Sequence, residues 1–244
     1  MKQTIVTVTE NVPVTASVYR MTLAGEEIMK HHPGQFINIR LEGMFLRRPI
    51  SVFDSDQGQL TILYKLVGQG TRRMAALKPG ASLDVLLGLG NGYDLSKAGM
   101  TPLLLGGGVG VPPLYQLAKE LIARGCSVRA VLGFNTAAEV FGTEEFRSLG
   151  CEVTVTTADG SAGVKGFVTD ALPEEYSYFY TCGPEPMLRA VYRATRTAGQ
   201  FSFEERMGCG FGACMGCSCR TVTGYKRICR EGPVLDKEEI LWEK

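Results

Sequence analysis

Four cysteines near the C-terminal end restrict this chain more than any other feature. Cys209, Cys214 and Cys217 follow one another as C-x4-C-x2-C within Met207-Gly208-Cys209-Gly210-Phe211-Gly212-Ala213-Cys214-Met215-Gly216-Cys217, and Cys229 closes the set. This is the plant-type ligand order for a 2Fe-2S cluster, which needs four thiolates brought together. The interspersed Gly208, Gly210, Gly212 and Gly216 fit that reading. A loop wrapped round a cluster must aim amide N–H groups at sulfur and often needs positive φ. Two other readings stay open. A structural zinc site more usually shows two C-x2-C knuckles, and disulfides call for a secreted chain. Cys219 is a fifth nearby thiol that the spacing leaves out, as a bystander or as a competitor of Cys217.

The remaining composition narrows the class of protein. At 244 residues, with 45% hydrophobic and 21% charged residues, the chain can form two soluble domains and a small appendage. A formal charge of +1 leaves no electrostatic footprint for nucleic acid or an anionic membrane. The N-terminal Met1-Lys2-Gln3-Thr4-Ile5-Val6-Thr7-Val8 alternates like a strand and has no signal-peptide core. Leu103 to Leu117, the most apolar region, is broken by glycines and prolines and is too short to span a bilayer. A cytoplasmic protein is expected, and eight cysteines in a reducing compartment point to metal or redox chemistry.

Short alternating runs fill the first part: Thr4–Val12, Val18–Leu23, Gln35–Leu41, Ile50–Phe53, Leu60–Val67 and Ser82–Leu86. They predict an antiparallel barrel or sandwich, interrupted by one short helix over Gly70–Leu77. Within it, the guanidiniums of Arg47 and Arg48 beside Pro49, Ile50 and Ser51 can pair with phosphate, or form a solvated basic corner. The later Gly68-Gln69-Gly70-Thr71 is a helix start whose N–H groups and Thr71 hydroxyl can hold a phosphate.

Arg48-Pro49-Ile50-Ser51 resembles the flavin motif R-x-Y-S of the ferredoxin-NADP reductase superfamily. The resemblance gives Arg48 to the FAD pyrophosphate and implies that Leu63, Tyr64, Lys65, Gly70 and Thr71 line FAD. Ile50 departs from the pattern, replacing a stacked aromatic by an apolar contact.

From Gly99 to Gln200 apolar strands alternate with helix-length amphipathic runs, as in a parallel α/β unit. Thr101–Leu105 reads as a buried strand ending in Gly106-Gly107-Gly108-Val109-Gly110-Val111-Pro112-Pro113, after which Leu114, Leu117, Ala118, Leu121 and Ile122 recur at helical spacing. Gly107, Gly108 and Gly110 thus expose backbone at a helix N-terminus, where a pyrophosphate can approach or where the chain merely turns tightly. Further strands are expected at Val128–Gly133, Glu152–Thr156 and Tyr178–Thr181, and helices at Glu139–Leu149 and Pro186–Ala194. Gly133-Phe134-Asn135-Thr136-Ala137 has no Arg or Lys for a 2′-phosphate, which favours NAD over NADP. Cys182, Gly183, Pro184 and Met187 sit at a strand-to-helix turn and resemble the C-G-P-x-x-M motif by which the same superfamily positions nicotinamide over the flavin. The alternative for Cys182 is a small buried hydrophobe.

The combination, with Glu204-Glu205-Arg206-Met207-Gly208-Cys209-Gly210 and Cys229-Arg230-Glu231-Gly232-Pro233-Val234, resembles the electron-transfer subunits of type B dihydroorotate dehydrogenases over nearly the whole chain. The expected architecture is multidomain: an antiparallel β-barrel FAD domain over 1–98, a parallel-sheet α/β NAD domain over 99–200, and a small C-terminal 2Fe-2S cluster domain over 201–244. The resemblance implies an intracellular complex with an FMN-containing dihydroorotate dehydrogenase catalytic subunit, two copies of each chain, and electron flow from FMN through the cluster and FAD to NAD+ in pyrimidine synthesis. The exposed edge of the cluster loop, with Phe211, Ala213 and Met215, is the expected docking face. No side-chain acid or base is expected, and His31 and His32, before Pro33-Gly34, read as surface residues. Cys126 and Cys151 read as structural, and Glu204 and Glu205 as solvated or as modulating the flavin or cluster. Two other functions remain: the flavin/iron-sulfur subunit of another complex, such as a hydrogenase or ferredoxin-dependent transhydrogenase, and a zinc-stabilised nucleotide sensor without turnover.

Overall fold

Period-2 alternation closes the first part of the chain into a barrel. The computed structural model describes residues 1–242. Strands β1 (Lys2–Pro13), β2 (Val18–Ala24), β3 (Phe36–Ile39), β4 (Arg48–Asp56) and β5 (Gln59–Lys65) precede the short helix α1 (Gln69–Ala75) and β6 (Ser82–Leu89). They close antiparallel in the order β1-β2-β5-β4-β3-β6. Inward residues such as Val8, Met21, Leu23, Ile37, Ile39, Ile62 and Val85 form one core, which a strand achieves by sending alternate side chains to one face.

The second unit contains β7 (Leu103–Gly107), α2 (Pro112–Ala123), β8 (Arg129–Phe134), α3 (Thr143–Ser148), β9 (Glu152–Thr157), β10 (Val164–Lys165), β11 (Phe179–Cys182), α4 (Glu185–Ala194) and β12 (Gly199–Ser202). Along β7, Leu104 packs with Leu114, Leu117 and Phe146 of α2 and α3, while Leu103 and Leu105 pack with Leu188 and Val191 of α4. A sheet buried on both faces explains the uninterrupted apolar run of this strand. Helix α3 is shorter than expected because Gly142 precedes it at φ +79°, outside the helical region.

After the cysteine loop come the hairpin β13 (Ser218–Thr221) and β14 (Gly224–Arg227), then β15 (Val234–Asp236). The seven-stranded sheet has the order β10-β9-β8-β7-β11-β12-β15. All its pairs are parallel except β12 with β15. The C-terminal segment therefore returns an antiparallel edge strand to the nicotinamide unit. Among the described residues no helix is long and apolar enough to cross a membrane.

His31 corrects the expectation of a surface histidine: it is 5% exposed. Its backbone N–H donates to Ser55 Oγ at 2.8 Å, and its carbonyl accepts from Gln116 Nε2 of α2. Docking of α2 onto the barrel covers it.

Candidate functional site

Arg48 opens β4 opposite Ile39 of β3. Its guanidinium lies over α1 so closely that a Cβ on Gly70 would stand 2.1 Å from Arg48 Nε. Among the described residues its hydrogen-bond acceptors are carbonyls, those of Leu46 and, at 3.3 Å, Arg47. Arg47 is used differently: it donates to both Asp84 carboxylate oxygens at 2.9 and 3.1 Å and to the Asp84 carbonyl at 3.1 Å. Of the two guanidiniums, Arg48 is the one placed to meet an anion at the α1 turn, while Arg47 braces strands. Ser51 stands opposite Phe36, and Ile50 packs against the barrel core.

Two residues of the expected FAD set have their side chains engaged within the chain. The Tyr64 ring lies inside the barrel, 1% exposed, with its hydroxyl donating to Asn11 Oδ1 at 2.9 Å. Strand alternation forces this: Leu63 points outward to the seam with α2, so its neighbour must point inward. Burial pushes the Tyr64 hydroxyl well above its ordinary value, which keeps it protonated. Lys65, next along, is half-buried. Thr71 uses its hydroxyl on its own turn, accepting from the N–H groups of Val67 at 3.0 Å and Gly68 at 3.2 Å. It shapes the α1 turn and leaves anion contact there to Arg48 and the backbone.

The two glycine-containing turns of the second unit meet at one point. Strands β7 and β11 are parallel neighbours, with Leu105 opposite Thr181 and Gly106 opposite Cys182. Sheet order reverses between them, which is where open α/β sheets leave a ligand crevice. A Cβ on Gly107 would stand 2.3 Å from Met187 Sδ and 3.2 Å from Pro184 Cδ, and one on Gly110 would stand 2.3 Å from the Cys182 carbonyl oxygen and 2.5 Å from Gly183 N. Gly108 lies between them at φ +51°. Gly107, Gly110, Cys182, Gly183, Pro184 and Met187 thus meet at this switch point, with Gly108 beside them. Burial, helped by the Glu204 carboxylate, pushes the Cys182 thiol up to about 12, so it is a neutral wall residue and not a nucleophile.

The cysteine loop divides its thiols two and two. Backbone amides link Cys209 with Cys214, and Cys229 with Cys217. Backbone N–H groups converge on the sulfurs: Ala213 N and Cys214 N donate to Cys209 Sγ at 3.2 and 3.4 Å, Cys209 N to Cys214 Sγ at 3.4 Å, and Cys229 N to Cys217 Sγ at 3.4 Å. At Cys209 burial opposes ionisation, yet the N–H groups of Phe211, Cys214 and Ala213 and the Cys214 side chain hold the thiol down to about 6. Two pairs of thiols with sulfur-directed amides fit a two-iron cluster, one pair per iron. Among the described residues no three His, Cys, Asp or Glu side chains are grouped as a single metal ion requires. Cys219 sits on β13 against the core shared by Cys217 and Cys229.

Several residues around this loop carry no sequence motif. Arg227 Nη1 donates to the Gly212 carbonyl at 2.6 Å, and its Nε donates to Glu231 Oε2 at 2.8 Å. Arg227 holds the Glu231 carboxyl down to about 2. Asn91 Nδ2 donates to the Val234 carbonyl at 2.7 Å and its Oδ1 accepts from Val234 N at 3.1 Å, pinning the chain after Cys229 to the barrel. Asn38, a buried amide on β3, donates to the Cys209 carbonyl at 3.1 Å. Its only sequence signal is a polar residue inside the apolar run Phe36-Ile37-Asn38-Ile39.

Comparison with known proteins agrees with this geometry. Residues 204–241 match the iron-sulfur cluster binding domain of dihydroorotate dehydrogenase B, and residues 104–193 match the oxidoreductase NAD-binding domain. The dihydroorotate dehydrogenase B (NAD(+)) electron transfer subunit of Fusobacterium nucleatum is 45% identical, covering 93% of this chain and 94% of the relative. That of Shouchella clausii is 43% identical, covering 98% of each. A solved NADH-dependent reduced ferredoxin-NADP oxidoreductase superposes with a TM-score of 0.89 at 30% identity, covering 98% of this chain and 90% of that one. Cofactors of the chain are FAD, a 2Fe-2S cluster and NAD. With relatives this similar over almost its full length, the chain belongs to the family of dihydroorotate dehydrogenase B (NAD(+)) electron transfer subunits.

Proposed function

We propose that this chain carries electrons from a dihydroorotate-oxidising catalytic subunit, through its 2Fe-2S cluster and FAD, to NAD+. Oxidising dihydroorotate to orotate releases two electrons and two protons, and NAD+ takes up both electrons with one proton. A bound flavin exchanges either one or two electrons, which joins hydride chemistry to the single-electron chemistry of a cluster. The chain's own residues orient and insulate. Arg48 and the backbone at Gly70 hold the FAD pyrophosphate, with Pro49, Ile50, Ser51, Leu63 and Lys65 along the flavin. Gly107, Gly108 and Gly110 admit the nicotinamide dinucleotide, and Cys182, Gly183, Pro184 and Met187 place its ring. Cys209, Cys214, Cys217 and Cys229 hold the cluster.

The observation that carries this reading is the shared core at the cluster: Cys217 and Cys229 pack with Phe36, Leu86 and Leu89 of the barrel. Phe36 is in turn paired with Ser51 of the Arg48-to-Ser51 strand, so cluster loop and flavin strand are separated by one strand only. On this reading the donor group in the partner is FMN, two copies of each chain assemble, and the complex works in the cytoplasm. Residues 1–98, 99–200 and 201–244 are then flavin, nicotinamide and cluster units by role, although β12 and β15 join the last two in one sheet. The exposed Phe211 and Met215 offer the partner a way close to the cluster.

The test is anaerobic assembly with a dihydroorotate dehydrogenase B catalytic subunit, followed by addition of dihydroorotate and NAD+. NADH is expected only when both chains and both substrates are present. A flavin- and iron-loaded complex that ignores dihydroorotate, yet forms NADPH or NADH from reduced ferredoxin, would assign the chain instead to the ferredoxin-linked function of its 30% identical structural relative.

A further inference from the structure

We propose that Asn38 is a positioning residue that fixes the first cluster ligand, Cys209, against the flavin strand and so sets the rate of electron passage between cluster and FAD. The inference rests on the cofactor sites assigned above, and adds a residue that no ligand motif contains.

Asn38 is 1% exposed on β3, between Ile37 and Ile39 of the barrel core. A buried amide there is unfavourable unless its hydrogen bonds are made, and an aliphatic side chain would fill the space without that penalty. Only half of the amide is satisfied within the chain. Nδ2 donates to the Cys209 carbonyl at 3.1 Å, while Oδ1 is buried without a partner among the described residues. The reverse orientation of the amide would set two acceptor oxygens against each other, so the bond to Cys209 fixes the side chain. The loop is shaped to receive it: Gly210, at φ +78°, comes so near that a Cβ would stand 2.3 Å from Asn38 Nδ2. Only glycine combines that backbone conformation with that approach.

Asn38 also stands directly opposite Pro49, inside the Arg48-to-Ser51 flavin segment. Its carbonyl accepts from Arg47 Nη1 at 3.4 Å, and Arg47 is anchored on Asp84 of β6. Strand β3 is therefore held from β4 and β6 while its one buried amide holds the cluster loop. Tunnelling between redox groups falls off exponentially with their separation, so a tie that removes slack in Cys209 acts on the transfer rate without touching either reacting group.

The test uses the full chain loaded with FAD and iron, without a partner, so failure of the partner assignment cannot affect it. Asn38→Leu keeps the size and removes the donor, and Asn38→Ala removes the donor without adding bulk or a titratable group. In both, amide hydrogen exchange over residues 208–214 is expected to rise about tenfold relative to residues 217–229, the size of effect one lost hydrogen bond gives. The EPR spectrum of the reduced cluster should broaden, and after mixing with NADH the cluster phase should slow relative to the flavin phase. If Asn38→Leu fails to fold or to retain iron, Asn38→Ala decides. Parent-like loop exchange, or loosening spread evenly over the barrel, would overturn the proposal and leave Asn38 as an ordinary packing residue.

Discussion

The barrel meets its two neighbours in contrasting ways. Towards α2 the seam is mixed and redundant. Phe53 stacks on Tyr115 at 4.2 Å with an interplanar angle of 11°, Ser55 Oγ donates to Gln116 Oε1 at 3.1 Å, and Lys119 pairs with Asp54 at 2.8 Å. Arg20 with Glu145, and Lys30 with Glu120, add further ion pairs. Towards the cluster loop the seam is mainly apolar: Phe36, Leu86 and Leu89 pack with Ile228 and Leu235 around Cys217 and Cys229, with polar ties from Asn38 and Asn91. A seam built of many partly solvated contacts tolerates the loss of any one. A seam built of a few buried ones does not, and it is the second kind that lies under the cluster.

The largest effect should therefore come from the apolar seam. Ile228, 0% exposed, is the aliphatic residue adjoining Cys229. Ile228→Ala should destabilise by about 2–5 kcal/mol, the range for truncating a buried aliphatic side chain. Urea midpoints give the stability, and iron content should drop with it. A loss below about 1 kcal/mol would mean that the loop repacks freely and the contrast between the seams is false. Next comes Gln116, the one fully buried polar side chain of α2 at the other seam. Gln116→Leu leaves Ser55 Oγ and the His31 carbonyl without their partner, for about 1–3 kcal/mol in the same titration.

The contrast also separates what the sequence reveals from what it hides. The candidate cluster ligands stand out because iron–sulfur coordination imposes a spacing on the chain itself, and the turn glycines stand out because a backbone-to-backbone approach excludes every side chain at Gly110. Barrel strands announce themselves by alternation. The inward turn of the Tyr64 side chain follows from that alternation, since neighbouring residues on one strand send their side chains to opposite faces. His31, Asn38 and the edge strand β15 escape for a different reason: their partners lie far along the chain. The carbonyl of His31 is met by a residue 85 positions away, and Asn38 bonds one 171 positions away. Local pattern has no access to such pairs. Thr71 falls between the two cases, its hydroxyl taken up by its own turn as Ser and Thr often do at helix starts.

A smaller effect tests the polar seam through pH. His31 Nδ1 lies 3.0 Å from the Met29 carbonyl and Nε2 lies 3.2 Å from Gly88 N, so the ring is neutral with its proton on Nδ1. Burial lowers its pKa below the ordinary 6.5, against the raising effect of the Met29 carbonyl. Above pH 6.5 the ring is neutral in both folded and unfolded chains. As pH falls below that value the unfolded chain takes up a proton first, so stability is lost until the folded pKa is passed, with a slope of at most about 1.4 kcal/mol per pH unit. His31→Gln should flatten the difference between unfolding midpoints at about pH 7.5 and about pH 5.5. An unchanged slope would place the acid-sensitive group elsewhere.

The smallest effect belongs to Lys119, whose ion pair with Asp54 joins side chains 46% and 28% exposed. Water screens such a pair and the lysine gives up rotamer freedom to form it, so Lys119→Met should cost less than about 1 kcal/mol. The neighbouring Phe53–Tyr115 stack and the Gln116 bonds remain to hold α2 in register. If instead the midpoint fell as far as in Ile228→Ala, the α2 seam would depend on single contacts as the cluster seam does. The two edges of the barrel would then differ in polarity alone, and the case for a rigid cluster mounting beside a more tolerant nicotinamide mounting would fail.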